Sequence, residues 1–181
     1  MNTHSPAAPV IVIDLQIGMF DGVLEPPIHD AGTLVERARA VLAWARRSGR
    51  HIAFIRHDGP AGDPLTPGAP GWPVWPALGQ ANDEPTFAKN VGNAFSNPAL
   101  AAWVTDQGAD EVILLGAQTE CCVAATVQGA IDTGFKVTVV SDAHGTWDSG
   151  NESADEIIAR HNSAFAAAGA KLVTAQSLAN I

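Results

Sequence analysis

Short runs of consecutive apolar, mostly β-branched residues alternate with longer stretches of helical periodicity along nearly the whole chain, and that alternation leaves few folds open. Residues 9–13, 51–55, 111–115 and 136–140 read as strands. A continuous run such as Val10-Ile11-Val12-Ile13 is the pattern of a strand covered on both faces. Residues 86–88 and 171–174 add two shorter candidates. Between them, Leu34, Val35, Ala38, Val41, Leu42 and Ala45 recur at helical spacing over 31–48, with Gly49 as a C-terminal stop. Further helices are expected over 98–107, 119–133 and 152–168, the last two closed by Gly134 and Gly169. Strand–helix–strand order requires crossovers, so the sheet is expected to be mainly parallel with helices on both faces. The expected fold class is α/β. It is a three-layer Rossmann-like fold with a six-stranded mainly parallel sheet flanked by helices, in a single domain over residues 1–181.

Composition removes several function classes. The net charge is -9, from 10 basic and 19 acidic residues, and no basic cluster occurs, so neither nucleic acid nor a membrane surface is an expected partner. No apolar run approaches the roughly 20 residues of a membrane helix, and the N-terminal segment lacks the pattern of a signal peptide. The 2 cysteines are adjacent, which is no disulfide framework, and a cytoplasmic location is expected.

In a parallel sheet of this kind the ligand lies beyond the carboxyl ends of the strands. The residues just after each strand are therefore the candidates: Asp14, Arg56 and His57, Lys89, the turn 116–122, and residues 141–144. Cys121 and Cys122 sit where a strand turns into a helix, a place where the helix dipole and unpaired N–H groups favour a thiolate or an oxyanion. Position alone does not separate a nucleophile from two small residues in a tight turn, nor one cysteine from the other. An acid, a lysine and a thiol arriving on one rim from three strands is the more specific signal. The turn after the first strand lacks G-x-G-x-x-G, which speaks against a dinucleotide, and no cofactor is expected. The six histidines are scattered, with no metal-site spacing, and no metal is expected. Residues 58–80 form a loop dense in Gly and Pro, long enough to be functional, and Trp72 within it is a candidate pocket wall.

Taken together, these segments resemble the isochorismatase-like cysteine hydrolase family. Asp14-Leu15-Gln16 resembles its aspartate motif. Lys89, followed by Asn93-Ala94-Phe95-Ser96, resembles its lysine motif. Gly116-x-x-Thr119-x-x-Cys122-Val123, with Thr126, Ala130 and Gly134, resembles its nucleophile motif, and Ser141 to His144 with His161-Asn162 fit the same pattern. The resemblance implies a Cys-Asp-Lys triad of Cys122, Asp14 and Lys89. It also implies an oxyanion hole from the N–H groups of Gln118 and Cys122, and a cis peptide at Ala117-Gln118. Gln16, His57, Trp72 and Phe95 are then the expected substrate-pocket residues. The implied reaction is hydrolysis of an amide-type C–N bond in a small molecule through a thioester, by a homodimer or homotetramer. The metal-binding branch carries an additional histidine in the long loop, which residues 58–80 lack, so a zinc-dependent nicotinamidase is disfavoured. Ether-cleaving isochorismatases typically lack the cysteine, so that activity is disfavoured too. A non-catalytic binder or a thiol redox sensor using the vicinal cysteines is the rival of a different class.

Overall fold

A computed structural model of the protein describes residues 7–180. Six strands form one sheet: β1 (Val10–Ile13), β2 (Ile52–His57), β3 (Thr86–Lys89), β4 (Glu111–Ala117), β5 (Lys136–Gly145) and β6 (Lys171–Val173). Their order is β3-β2-β1-β4-β5-β6, and every pairing between neighbours is parallel. The expected α/β architecture is thus present. Strand order reverses between β1 and β4, which opens a crevice beyond their carboxyl ends.

Among the described residues five α-helices pack around the sheet: α1 (Ala31–Arg47), α2 (Pro98–Asp106), α3 (Ala124–Thr133), α4 (Ala154–Ala167) and α5 (Ala175–Ala179). Alternate residues of the inner strands feed opposite cores. Val10 and Val12 pack with α1 and α5, through Leu34, Leu42 and Leu178. Ile11 and Ile13 pack against the other layer, through Leu100, Val127 and Phe165. Several ends are set by local chemistry. The Asn97 side chain accepts from Ala99 N–H ahead of Pro98 at the start of α2, and Ser153 and Glu156 form a reciprocal capping box on α4.

Three elements differ from the sequence-based expectation. Strand β5 runs on to Gly145, where a loop was expected from Ser141, because a register shift after Leu114 lets His144 and Gly145 pair with Gly116 and Ala117. The expected helix over 119–133 opens with a π turn at Thr119–Val123, closed by Val123 N–H to Gln118 O at 3.0 Å, before α3 begins. Helix α5 was not expected at all; a capping box of Thr174 and Ser177 starts it.

At Gly116, paired with Ile13, β4 and β1 lie close together. The φ of Gly116 is +135°, and a Cβ there would overlap the backbone of Ile13. Gly116→Ala is expected to cost more than about 3 kcal/mol in a denaturant titration. Gly134→Ala is the control. Its φ is +96° but nothing lies within 4 Å of the added methyl, so a loss of only about 1 kcal/mol is expected. Equal losses in the two variants would mean that close packing at Gly116 is not what matters.

Candidate active site

Three strand ends deliver the polar side chains. Asp14 follows β1 with φ of +49°, and its backbone N–H is held by Ile55 O at 3.1 Å. His57 and Lys89 end β2 and β3 and are direct neighbours in register, so their side chains leave the same face together. Cys122 lies in the π turn that follows β4. The Ala117–Gln118 peptide at the entry to that turn is cis.

Lys89 joins these groups. Its Nζ donates to Asp14 Oδ2 at 2.6 Å and to Cys122 Sγ at 3.2 Å, and contacts His57 Nδ1 at 3.1 Å. An ammonium has three protons and no acceptor, so His57 Nδ1 accepts and its ring proton sits on Nε2. The side chains of Lys89 and Asp14 are both 0% exposed. The other carboxylate oxygen, Asp14 Oδ1, is buried with no hydrogen-bond partner among the described residues. Ligand atoms of Asp14, His57 and Cys122 all lie within 4.8 Å of one another, donor types that can bind a metal. The Lys89 ammonium already bonds all three, and so holds the position at which a cation would balance them.

Burial dominates the electrostatics. It raises the Asp14 carboxyl above its ordinary value, with Lys89 pulling it back down. Burial, and then the Asp14 charge, push the Cys122 thiol up to about 12. Both effects favour the neutral thiol over the thiolate. Burial and the Lys89 charge lower His57, partly offset by Asp14, Asp63 and Asp58, so its imidazole is neutral. Cys121 is exposed, and burial of its sulfur together with the Glu120 charge raises its pKa as well.

The π turn is anchored from behind. Asn162 Nδ2 donates to Ser141 O at 2.9 Å, and its Oδ1 meets His144 Nε2 at 3.0 Å. With the His144 proton on Nε2, Nδ1 accepts from the Thr119 hydroxyl at 2.9 Å. From the other side, Thr126 Oγ1 on α3 accepts from Ala94 N–H at 3.0 Å, and Gly129 leaves room for the Asn93 side chain. The motif residues around Cys122 and Lys89 are thus the clasps between their elements.

Asp14, His57, Gln118 and Cys122 reach a cavity of about 430 Å³. Met19, Leu65 and Trp147 form apolar walls, and Glu25 and Asp63 add carboxylates. Of the four expected pocket residues only His57 lines this cavity. Gln16 is 0% exposed, and its amide clamps the His57 peptide, accepting from its N–H at 2.8 Å and donating to its carbonyl at 3.1 Å. Trp72 turns away. Its indole N–H donates to Asp58 at 2.8 Å and the Arg56 guanidinium lies 3.6 Å from its ring centre. Phe95 packs on Phe135 against the second core cluster. Glu25, Asp63 and Leu65 were not anticipated. They lie in loops that approach the site through backbone pairing, which leaves no periodic signal.

The Isochorismatase domain family model matches residues 8–177. The chain belongs to the isochorismatase family. Within that family it is 30% identical over 139 residues to a streptothricin hydrolase of Streptomyces noursei, a match covering 77% of this chain and 50% of the relative. It is 28% identical over 150 residues to the maleamate amidohydrolase of Pseudomonas putida, covering 72% of this chain and 70% of that one. A solved isochorismatase from Pseudomonas putida superimposes with a TM-score of 0.86 at 29% identity, over 94% of this chain and 89% of that one. The chain thus spans about half the length of the streptothricin hydrolases it matches. Among the described residues no helix is long and apolar enough to cross a membrane.

Proposed function

We propose that the protein is a cysteine hydrolase that cleaves an amide-type C–N bond of a small molecule through a thioester on Cys122. The observation that carries this proposal is the single ammonium of Lys89 bonded to both Asp14 and Cys122, beside an Asp14 oxygen that has no partner. Cys122 is a neutral thiol, so the nucleophile is made at the moment of attack. The thiol proton passes to Asp14 as sulfur bonds to the substrate carbonyl carbon. The oxyanion is received by the N–H groups of Gln118 and Cys122, each worth about 3 kcal/mol in a hole of this kind. Asp14 returns the proton to the leaving nitrogen, the C–N bond breaks, and a thioester remains. Asp14 then takes a proton from water, hydroxide attacks the thioester, and the proton goes back to sulfur as the C–S bond breaks. The Lys89 ammonium offsets the negative charge that moves between Asp14 and Cys122. The relatives' names, a streptothricin hydrolase and a maleamate amidohydrolase, support a hydrolase of amide type. Assembly as a homodimer or homotetramer is part of the same proposal, and light scattering on the purified protein tests it.

The test is release of ammonia or amine from a panel of small amides, ureides and acyl hydrazides, with Cys122→Ala as the control. No release from any of them would count against the assignment. A pH profile adds a second check. Asp14 must be ionised to accept the thiol proton, and burial holds its pKa above the ordinary 3.8. Activity is therefore expected to rise with pH through that raised value, giving kcat/KM an acidic limb above the usual aspartate range. A limb at or below the ordinary aspartate value would show that another group is the base.

A further inference from the structure

The groups that face the cavity differ in charge from those that build the reaction centre. Glu25 and Asp63 both line it, and among the described residues no lysine or arginine side chain does. Lys89 is 0% exposed and its charge is matched by Asp14. The nearby Arg56 is held over Trp72, 3.9 Å from Asp58. A ligand in the cavity thus meets two carboxylates with no cation opposed to them. Both carboxylates are on fastened loops. The Glu25 loop is tied by Ile28 N–H to Met19 O at 2.8 Å, His29 N–H to Thr146 O at 3.1 Å, and the Trp147 indole to Pro26 O at 2.8 Å. Asp63 Oδ1 accepts from Leu65 N–H at 2.7 Å, and Gly59 N–H donates to Leu65 O at 3.0 Å. Among the described residues Glu25 makes no hydrogen bond or ion pair. At the reacting end, Asp14 borders the same cavity, and its Oδ1 is a buried acceptor with no hydrogen-bond partner among the described residues. A volume of about 430 Å³ leaves room for a substituent well beyond one amide group.

We infer that the substrate is an amide bearing an organic cation, an ammonium or guanidinium, away from the scissile bond, and that Glu25 and Asp63 select it while disfavouring carboxylate-bearing amides. This rests on the hydrolase proposal above for the bond that is cut, but the charge preference is measurable without turnover. Cys122 in the Cys121→Ser protein is labelled with two methanethiosulfonates of similar size, one bearing trimethylammonium and one bearing sulfonate. Rates are read by intact mass and normalised to a small free thiol.

The cationic reagent is expected to react faster by about tenfold or more, with the ratio falling in high salt. Glu25→Gln with Asp63→Asn is expected to bring the ratio close to one. The amide introduced by Asp63→Asn keeps an oxygen for the Leu65 N–H, and an unchanged thermal midpoint confirms that the loop is intact. A wild-type ratio at or below one, or a ratio unchanged in the double variant, overturns the inference. Matched amides with ammonium, neutral and carboxylate tails form the second arm, with kcat/KM expected to fall in that order. Turnover that favours the carboxylate overturns the charge assignment and leaves the hydrolase standing. Charge-selective labelling with no turnover of any amide overturns the hydrolase and leaves the charge assignment standing.

Discussion

Cys122→Ala is expected to lower turnover by on the order of a million-fold, the scale seen when the nucleophile is taken from a triad that acts as a unit. Cys121→Ala is expected to leave turnover within about threefold, as for an exposed side chain that makes none of the bonds that change. The contrast follows from geometry. Cys122 Sγ is 3.2 Å from the Lys89 ammonium, whereas Cys121 is exposed and has no bond to Asp14 or Lys89. The two thiols are adjacent in one turn, so general damage to the turn would affect both variants alike. An electrophilic inhibitor is expected to leave its adduct on Cys122. Equal losses in the two variants, or an adduct confined to Cys121, would sink the assignment. A redox pair also predicts equal sensitivity, so the same two variants decide between the two classes of function.

Lys89→Met has the second large effect, and it falls on stability and activity together. The substitution keeps the side chain's bulk and removes its charge, leaving the 0% exposed Asp14 carboxylate with no cation. Stranding one member of a buried pair typically costs about 3–5 kcal/mol. Asp14 responds by keeping its proton, because desolvation already raises its pKa and the opposing effect of Lys89 is gone. A protonated Asp14 cannot accept the thiol proton, so activity is expected to be lost at neutral pH. The sign of the pH dependence follows by linkage. In the variant the folded state holds a proton that the unfolded state releases, so unfolding becomes more favourable as pH rises above the unfolded aspartate value. Asp14 is already raised in the wild type, so the stability gap is expected to widen only between that value and the variant's still higher one, by up to about 1.4 kcal/mol per pH unit. Urea titrations at several pH values measure it. A gap that is small and flat with pH would show that the pair is not the buried, desolvated unit described above.

The strands and most helices were legible because burial on both faces leaves uninterrupted apolar runs, as in Val10 to Ile13, and because a helix packed on a sheet repeats, as in Leu34 to Ala45. The strand ends were legible for the same reason, since a polar residue directly after such a run must face the rim. What could not be read depends on backbone pairing outside the regular elements. Gln16 stands two residues beyond Asp14 and looks like a rim residue, yet its amide turns inward to satisfy the His57 peptide. Trp72 follows a glycine in a long loop and looks like a wall, but Arg56 and Asp58 draw the indole aside. Phe95 has no periodic neighbours to show that it turns toward Phe135. The extension of β5 comes with a register shift between two strands, a property of the pair and not of either segment.

The long loop's attachment to the first turn after β1 has a broader consequence. Ile17 N–H pairs with Pro73 O, Gly18 N–H with Gly71 O, and Trp75 N–H with Leu15 O, all within 2.9 Å. Gly71 is so enclosed that a Cβ there would clash with the Pro64 carbonyl oxygen and press on the Gly18 backbone. These fastenings are main-chain to main-chain, so they place almost no demand on the identity of residues 60–70 that they carry against the cavity. The reacting atoms come from strand ends, while part of the substrate's surroundings hangs from a separately stitched panel. Such a panel can be re-cut without disturbing Asp14, Lys89 or Cys122. It is a physical route by which one reaction centre could be fitted to new molecules by exchanging a single interchangeable cassette.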